Sequence, residues 1–188
     1  ISGTQFARKV NWASGIDKAT GRPIDTPMTA MVRKTEEMKD FIEVWPSAFG
    51  GKNWMPMSFD PQRRVAYFNT VNVGMKIKYV KQERPKQPTW YLGLELGGFV
   101  APEDGLRGSL VAWDPVAGKK LWDVPSKSPN WAGVVSTAGG VLFTGAQTGE
   151  FMAFEVQPDP QHPTIQNEAM KYDGLRYRVT CRLAGKIY

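Results

Sequence analysis

Three copies of the dipeptide Asn-Trp, at Asn11-Trp12, Asn53-Trp54 and Asn130-Trp131, mark this chain as a repeat, the first two 42 residues apart. A second signal recurs at a similar interval. Asp17 is followed four residues later by Gly21 and Asp114 by Gly118, with weaker versions beginning at Asp60 and Glu155. These acidic positions are separated by 43, 54 and 41 residues. A period of roughly 40–50 residues is that of propeller blades, in which each repeat is one small antiparallel sheet. The spacing Asp-x-x-x-Gly suits a tight hairpin, because the carboxylate caps backbone N–H groups and glycine takes the positive-φ position.

A walk along the chain supports an all-β fold. Alternating residues 5–12 lead into the turn at 17–21. The stretches Val65–Asn69, Ser109–Trp113, Trp131–Val135, Val141–Thr144 and Glu150–Phe154 read as short strands, with Leu121-Trp122 opening a return strand. Asp60-Pro61, Gly139-Gly140 and Thr148-Gly149 read as turns, and Asp173-Gly174 as a type I′ hairpin signal. Two segments break the pattern. Residues of about 26–45 include Thr35–Glu43, the one stretch with helical character, and are read as an inter-strand insertion. Residues of about 74–103 carry Lys, Pro and Gly without a regular period and are read as a long surface excursion.

Bulk properties narrow the possible functions. Seven Trp, nine Phe and six Tyr are ample for packed sheets, while 19 Gly and 14 Pro suit many turns. No apolar run approaches the roughly 18 residues of a membrane span, so none is expected. A closed ring needs roughly 4–8 blades. The chain starts with Ile1 inside a patterned region, with no initiator Met and no charged-then-apolar leader. It is therefore read as a processed or partial sequence lacking upstream blades. The net charge of +6 is scattered over the chain. A solvated basic surface accounts for it, and an acidic protein partner is the alternative. Nucleic acid is not expected, since no recognition-module signature is present. The lone cysteine, Cys181, excludes an internal disulfide, and no Cys-x-x-Cys-His is present to attach haem. The sole histidine, His162, sits in a Pro-rich loop, which argues against a Ser-His-Asp triad or a histidine zinc site.

The segment Ala112-Trp-Asp-Pro-Val-Ala-Gly-Lys-Lys-Leu-Trp122 resembles the tryptophan-docking repeat of the pyrroloquinoline-quinone (PQQ) dependent alcohol dehydrogenases. Further stretches follow in the family's order: Val10–Ile24, Gly50-Gly-Lys-Asn-Trp-Met-Pro-Met57, Asn130–Gly145 and the final Asp173-Gly-Leu-Arg-Tyr-Arg-Val179. The resemblance covers nearly the whole chain and maps residues 1–188 to the C-terminal part of a single β-propeller, eight-bladed when complete. It implies a periplasmic enzyme in which calcium or a lanthanide holds PQQ on the propeller axis and polarises its quinone carbonyl. An aspartate then takes the alcohol proton, hydride passes to the quinone, and electrons leave to a cytochrome c.

Carried over residue by residue, Asn53 matches the family asparagine whose amide reaches the PQQ edge. Trp54 adjoins it, Gly50-Gly51 would let backbone approach closely, and Trp131 matches a tryptophan on the cofactor's other side. Trp12, Trp113 and Trp122 are read as core or blade-docking residues, and Asn11 and Asn130 as turn residues. The family's metal ligands, catalytic aspartate and PQQ-stacking tryptophan all map upstream of Ile1, so no catalytic or metal residue is assigned in this span. After Phe154 the docking repeat is replaced by Glu155-Val-Gln-Pro-Asp-Pro-Gln-His-Pro163, and Ala184–Tyr188 replaces a Gly-rich stretch. The Met55-Pro56-Met57 wording looks more like the ethanol-oxidising branch than the methanol one. The competing reading is a non-catalytic PQQ-like-repeat propeller that acts as an envelope scaffold. Such a scaffold needs docking tryptophans but not the asparagine of Gly-Gly-x-Asn-Trp.

Overall fold

The computed structural model describes residues 3–83, 86, 91–147, 151–157 and 171–177 and is built almost wholly of short antiparallel strands. In chain order these are β1 (Ala13–Ile16), β2 (Pro23–Asp25), helix α1 (Pro27–Val32), β3 (Ile42–Val44), β4 (Ser58–Asp60), β5 (Val65–Val71) and β6 (Gly74–Tyr79). Then follow β7 (Leu94–Val100), β8 (Gly108–Asp114), β9 (Lys119–Ser126), β10 (Val134–Ser136), β11 (Val141–Gly145), β12 (Phe151–Gln157) and β13 (Lys171–Tyr177). They form four sheets: β1-β2, β3-β6-β7, β4-β5-β8-β9 and β10-β11-β12-β13. The all-β expectation holds. No helix among the described residues is long and apolar enough to cross a membrane.

The acidic turns form as their spacing predicts. Asp17 Oδ1 accepts the N–H groups of Ala19 and Thr20, and Gly21 closes the turn at φ 70°. Asp114 does the same with Val116, Ala117 and Gly118. Asp60 repeats the pattern with Gln62 and Arg63. Two expected turns do not form. Glu155 lies inside β12, and Asp173-Gly174 lies inside β13, where these residues pair with Glu155 and Phe154. A seven-residue ladder along β12 outweighs the local turn preference of an Asp-Gly pair.

The main core lies between the two four-stranded sheets. Val65, Tyr67, Leu110 and Ala112 of one meet Val134, Leu142, Met152 and Phe154 of the other, with Trp122 packed against them. The docking-repeat tryptophan therefore does join two sheets. Every residue of β5 is buried, since its second face is also covered; Phe6 meets Phe68 edge-on, with ring centroids 5.6 Å apart.

The two segments set apart from the repeat meet each other. Residues 26–45 contribute β3 and residues 74–103 contribute β6 and β7, and together these make the three-stranded sheet. The longer segment leaves the large sheet after Val71 and returns at Gly108, and those two residues are themselves paired. The excursion is thus a hairpin with its own ladder rather than an irregular loop. The helix expected at 35–43 lies instead at Pro27–Val32, where Thr26 caps it and Pro27 occupies the first turn. Thr35 donates its hydroxyl to Met31 O, ending α1, and Met38 N–H bonds to Tyr79 O, which draws the chain onto β6. His162 and Cys181 lie outside the described residues.

Candidate functional site

The loop from Ser47 to Pro56 carries the site. It is pinned at both ends by backbone bonds: Ser47 N–H to Val73 O, Val71 N–H to Gly51 O, and Val134 N–H to Pro56 O. Gly50 turns the chain at φ 69° and donates to Ser47 O. Gly51 serves a purpose other than the expected cofactor approach. A Cβ there would lie 2.8 Å from the Ala7 Cβ and 3.1 Å from the Phe6 ring, so its small size admits the N-terminal segment. Met55, only 1% exposed, anchors the loop against Val71 and Val73.

Between these anchors the Asn53 amide is locked in one orientation. Its Nδ2 donates to Phe49 O at 3.0 Å, and its Oδ1 accepts the Trp54 N–H at 2.8 Å. An amide nitrogen carries two hydrogens, so one is left over from the Phe49 bond. Lys52 Nζ closes the loop from inside, donating to Asn53 O (3.1 Å) and Met55 O (2.8 Å).

Trp54 is 75% exposed, an unusual state for so large an apolar ring. It lies against Trp131, with centroids 5.3 Å apart. Phe49 meets Trp131 edge-on at 5.0 Å and stacks on Phe99 of β7 at 4.8 Å. The excursion therefore reaches the site through Phe99. A cavity of about 270 Å³ opens here, lined by Phe49, Val71, Val73, Phe99, Arg107 and Trp131. The structure brings Asn53, Trp54 and Trp131 together from separate parts of the chain.

The other two Asn-Trp pairs have different surroundings. Asn11 clamps the segment 43–45: its Nδ2 donates to Glu43 O, its Oδ1 accepts Trp45 N–H, and its own N–H bonds to Trp45 O. Asn130 is not the turn residue expected from sequence. It is 1% exposed and donates to Asn69 Oδ1, while Asn69 Nδ2 donates to Ala132 O and to Thr144 Oγ1. Thr144 in turn donates to Gly133 O. This buried polar bridge ties β5 to the neighbouring sheet directly behind Trp131. It was legible only as polar letters, Asn69 and Thr144, inside otherwise apolar strands.

Three titrating groups with displaced pKa values belong to the scaffold and not to this loop. Glu43 is held below the usual carboxylate range by the Trp45 indole N–H, against some burial, with help from Lys9 and the charge of Lys76. Burial pushes Asp60 upward, but the Arg63 N–H, its guanidinium and its charge outweigh that and leave Asp60 low. Burial raises the Tyr67 hydroxyl strongly, and the charge of Asp60 adds to it. Among the described residues no group of three His, Cys, Asp or Glu side chains converges to hold a metal.

No protein-family model matches the chain. It is 35% identical over 156 residues to the quinoprotein alcohol dehydrogenase PedE of Pseudomonas putida, covering 81% of this chain and 24% of that protein. To the quinohemoprotein alcohol dehydrogenase of Comamonas testosteroni it is 37% identical over 162 residues, covering 82% of this chain and 22% of that protein. The crystal structure of the Comamonas testosteroni quinohemoprotein superposes with a TM-score of 0.64 at 33% identity, over 79% of this chain and 22% of the other. A europium-containing methanol dehydrogenase superposes with a TM-score of 0.60 at 27% identity, over 90% of this chain and 27% of the other. The chain spans about a quarter of the length of these relatives and matches their C-terminal part. Its sheets are blades of the same β-propeller fold.

Proposed function

The chain belongs to the family of PQQ-dependent quinoprotein alcohol dehydrogenases, and from that membership we propose that it forms part of the cofactor-facing wall of an enzyme that oxidises a primary alcohol. The observation that carries this reading is the Asn53 amide, locked by its loop with one hydrogen left over, next in the chain to a Trp54 that lies against Trp131. When bound, PQQ supplies the quinone that takes hydride from the alcohol. Asn53 would donate a hydrogen bond to an oxygen on the quinone edge, which an amide can do without changing its own charge during the redox step. Trp54 and Trp131 present flat apolar faces that exclude water from that edge. An amide donor flanked by aromatic faces fits a planar, oxygen-edged ring system.

The metal of this reading, calcium or a lanthanide, is assigned to residues of the enzyme other than those described here, as are the catalytic base and the ring that stacks on PQQ. The acceptor is a cytochrome c and the compartment the periplasm, both following from the family reading. Met55-Pro56-Met57 favours an ethanol-like primary alcohol. A non-catalytic scaffold would use the docking role of Trp122 equally well, but would have no use for an exposed Trp54 or a spare amide hydrogen beside it.

Reconstitution tests the proposal. The holoenzyme loaded with PQQ and calcium, or PQQ and a lanthanide, is expected to show quinone absorbance, alcohol-dependent dye reduction and reduction of cytochrome c. Absence of both the absorbance and the dye reduction sinks the enzyme reading. Asn53→Asp is the sharper probe, since a carboxylate oxygen would face Phe49 O without a hydrogen between them. It is expected to weaken PQQ binding by at least about tenfold, a loss comparable to leaving a buried polar group unpaired. Osmotic-shock fractionation of the host checks the compartment.

A further inference from the structure

We propose that Lys52 is a positioning residue that holds the Asn53–Trp54 pair in its quinone-binding geometry, an inference that rests on the reading above. Lys52 occupies the position that Gly-Gly-x-Asn-Trp leaves open, so the resemblance assigns it no role. A lysine in an exposed loop ordinarily extends into water, since its ammonium is strongly hydrated and its stem is flexible. Lys52 instead folds back over its own loop and donates to two carbonyls, those of Asn53 and Met55. Among the described residues it has no carboxylate partner.

The loop explains why a cation sits there. Val71 holds Gly51 O on one side and the buried Met55 side chain holds the other, leaving residues 52–54 to span the gap. In that span the carbonyls of Asn53 and Met55 converge on one point, where their dipoles repel unless a donor lies between them. The ammonium supplies that donor, and charge-assisted bonds are the strong ones. With Asn53 O fixed, the Asn53 side chain keeps its bonds to Phe49 O and Trp54 N–H, so its free hydrogen keeps its direction. Removing the ammonium frees the two carbonyls to separate, which lets Asn53 turn and Trp54 leave Trp131. Lys52 also places a positive charge on the loop that would face an anionic quinone, and the third ammonium hydrogen remains available.

The test uses Lys52→Met and Lys52→Cys in the holoenzyme, the second also after treatment with bromoethylamine, which restores an ammonium on a side chain of nearly lysine length. The parent treated in the same way controls for Cys181. PQQ affinity is read from quenching of tryptophan fluorescence, and hydrogen exchange at the Trp54 amide is read in the cofactor-free protein. Lys52→Met is expected to weaken PQQ about tenfold, in the range seen when the supports of a binding group are removed. It should also speed Trp54 exchange at an unchanged thermal midpoint, and the aminoethylated variant should recover both. The inference is overturned if Lys52→Met binds PQQ like the parent, if affinity falls only together with the midpoint, or if aminoethylation restores neither readout. A parent that never binds PQQ sinks the functional reading instead, while Trp54 exchange still tests the brace.

Discussion

Arg64 is the one non-glycine among the described residues with a positive φ, at 56°. It stands where Gly21 and Gly118 stand in the sister turns, four residues after the capping aspartate. A side chain in this region costs about 1–2 kcal/mol, which glycine avoids while giving back part of the gain as unfolded-state entropy. Arg64→Gly is therefore expected to stabilise the fold by about 0.5–1 kcal/mol, measurable as a higher urea midpoint at unchanged slope. Tyr67 makes the complementary case. It is fully buried, and its hydroxyl has no hydrogen-bond partner among the described residues. Tyr67→Phe should cost nothing or gain up to about 1 kcal/mol, because a lone buried hydroxyl is a liability rather than a bond. A lower thermal midpoint for that variant would show a partner that the described residues lack. At this scale the sequence was readable for the turns, whose chemistry is local. It was not readable for the bonds of the Asn-Trp amides, although the residues around them set Asn53-Trp54 apart from the other two pairs. Asn11 becomes a clamp, Asn53 a loop lock and Asn130 a buried bridge, because each amide answers to whichever carbonyls the fold brings near it.

The three-stranded sheet is the element that sequence patterning rendered least well. Its strands come from two segments that lie far apart in the chain, β3 ending at Val44 and β6 starting at Gly74, and Gly97 and Gly98 interrupt the alternation of β7. Within this sheet the chain passes close at Gly74, opposite the residue that follows β3, where a Cβ would lie 2.5 Å from Trp45 Cε2. Trp45 is itself buried, so the ring cannot yield outward. Gly74→Ala is expected to destabilise by about 1–3 kcal/mol, the usual cost of overpacking a filled core. Because Phe99 stacks on Phe49, the same substitution should shift the fluorescence of Trp131 beside it. An unchanged emission and midpoint would show that the excursion is not coupled to the site. By contrast β5, β8 and β11 were legible within a residue or two, since their apolar letters recur at strand period between strong turn signals.

At the scale of the molecule, two four-stranded sheets share one core, and the Asp60–Arg63 pair sits where they meet. A Cβ at Gly140 of the second sheet would come within 2.8 Å of Arg63 Nη2. The Asp60 pKa lies below its ordinary value of 3.8 in the folded state, so the stability it contributes is present above that value and is lost as pH falls through the folded pKa. Glu43, lowered from 4.5, adds to the same trend. Stability should thus hold from neutral pH down to about 5 and decline below about 4.5. Asp60→Asn keeps an oxygen to cap the turn but removes the charge, so it should lower stability at neutral pH and flatten the acid decline in a denaturation series. A decline as steep as the parent's would place the titrating group elsewhere.

The sequence by itself determined the blade period, the aspartate turns, the all-β class and the family, because each rests on residues close together in the chain. Tertiary structure alone decided what each of the three identical pairs bonds to, that two apparent insertions share a sheet, and that Asp173-Gly174 extends instead of turning. The reason is range. A turn closes on its own few atoms, whereas a buried amide, a ladder or an aromatic stack depends on groups that only the folded chain brings together.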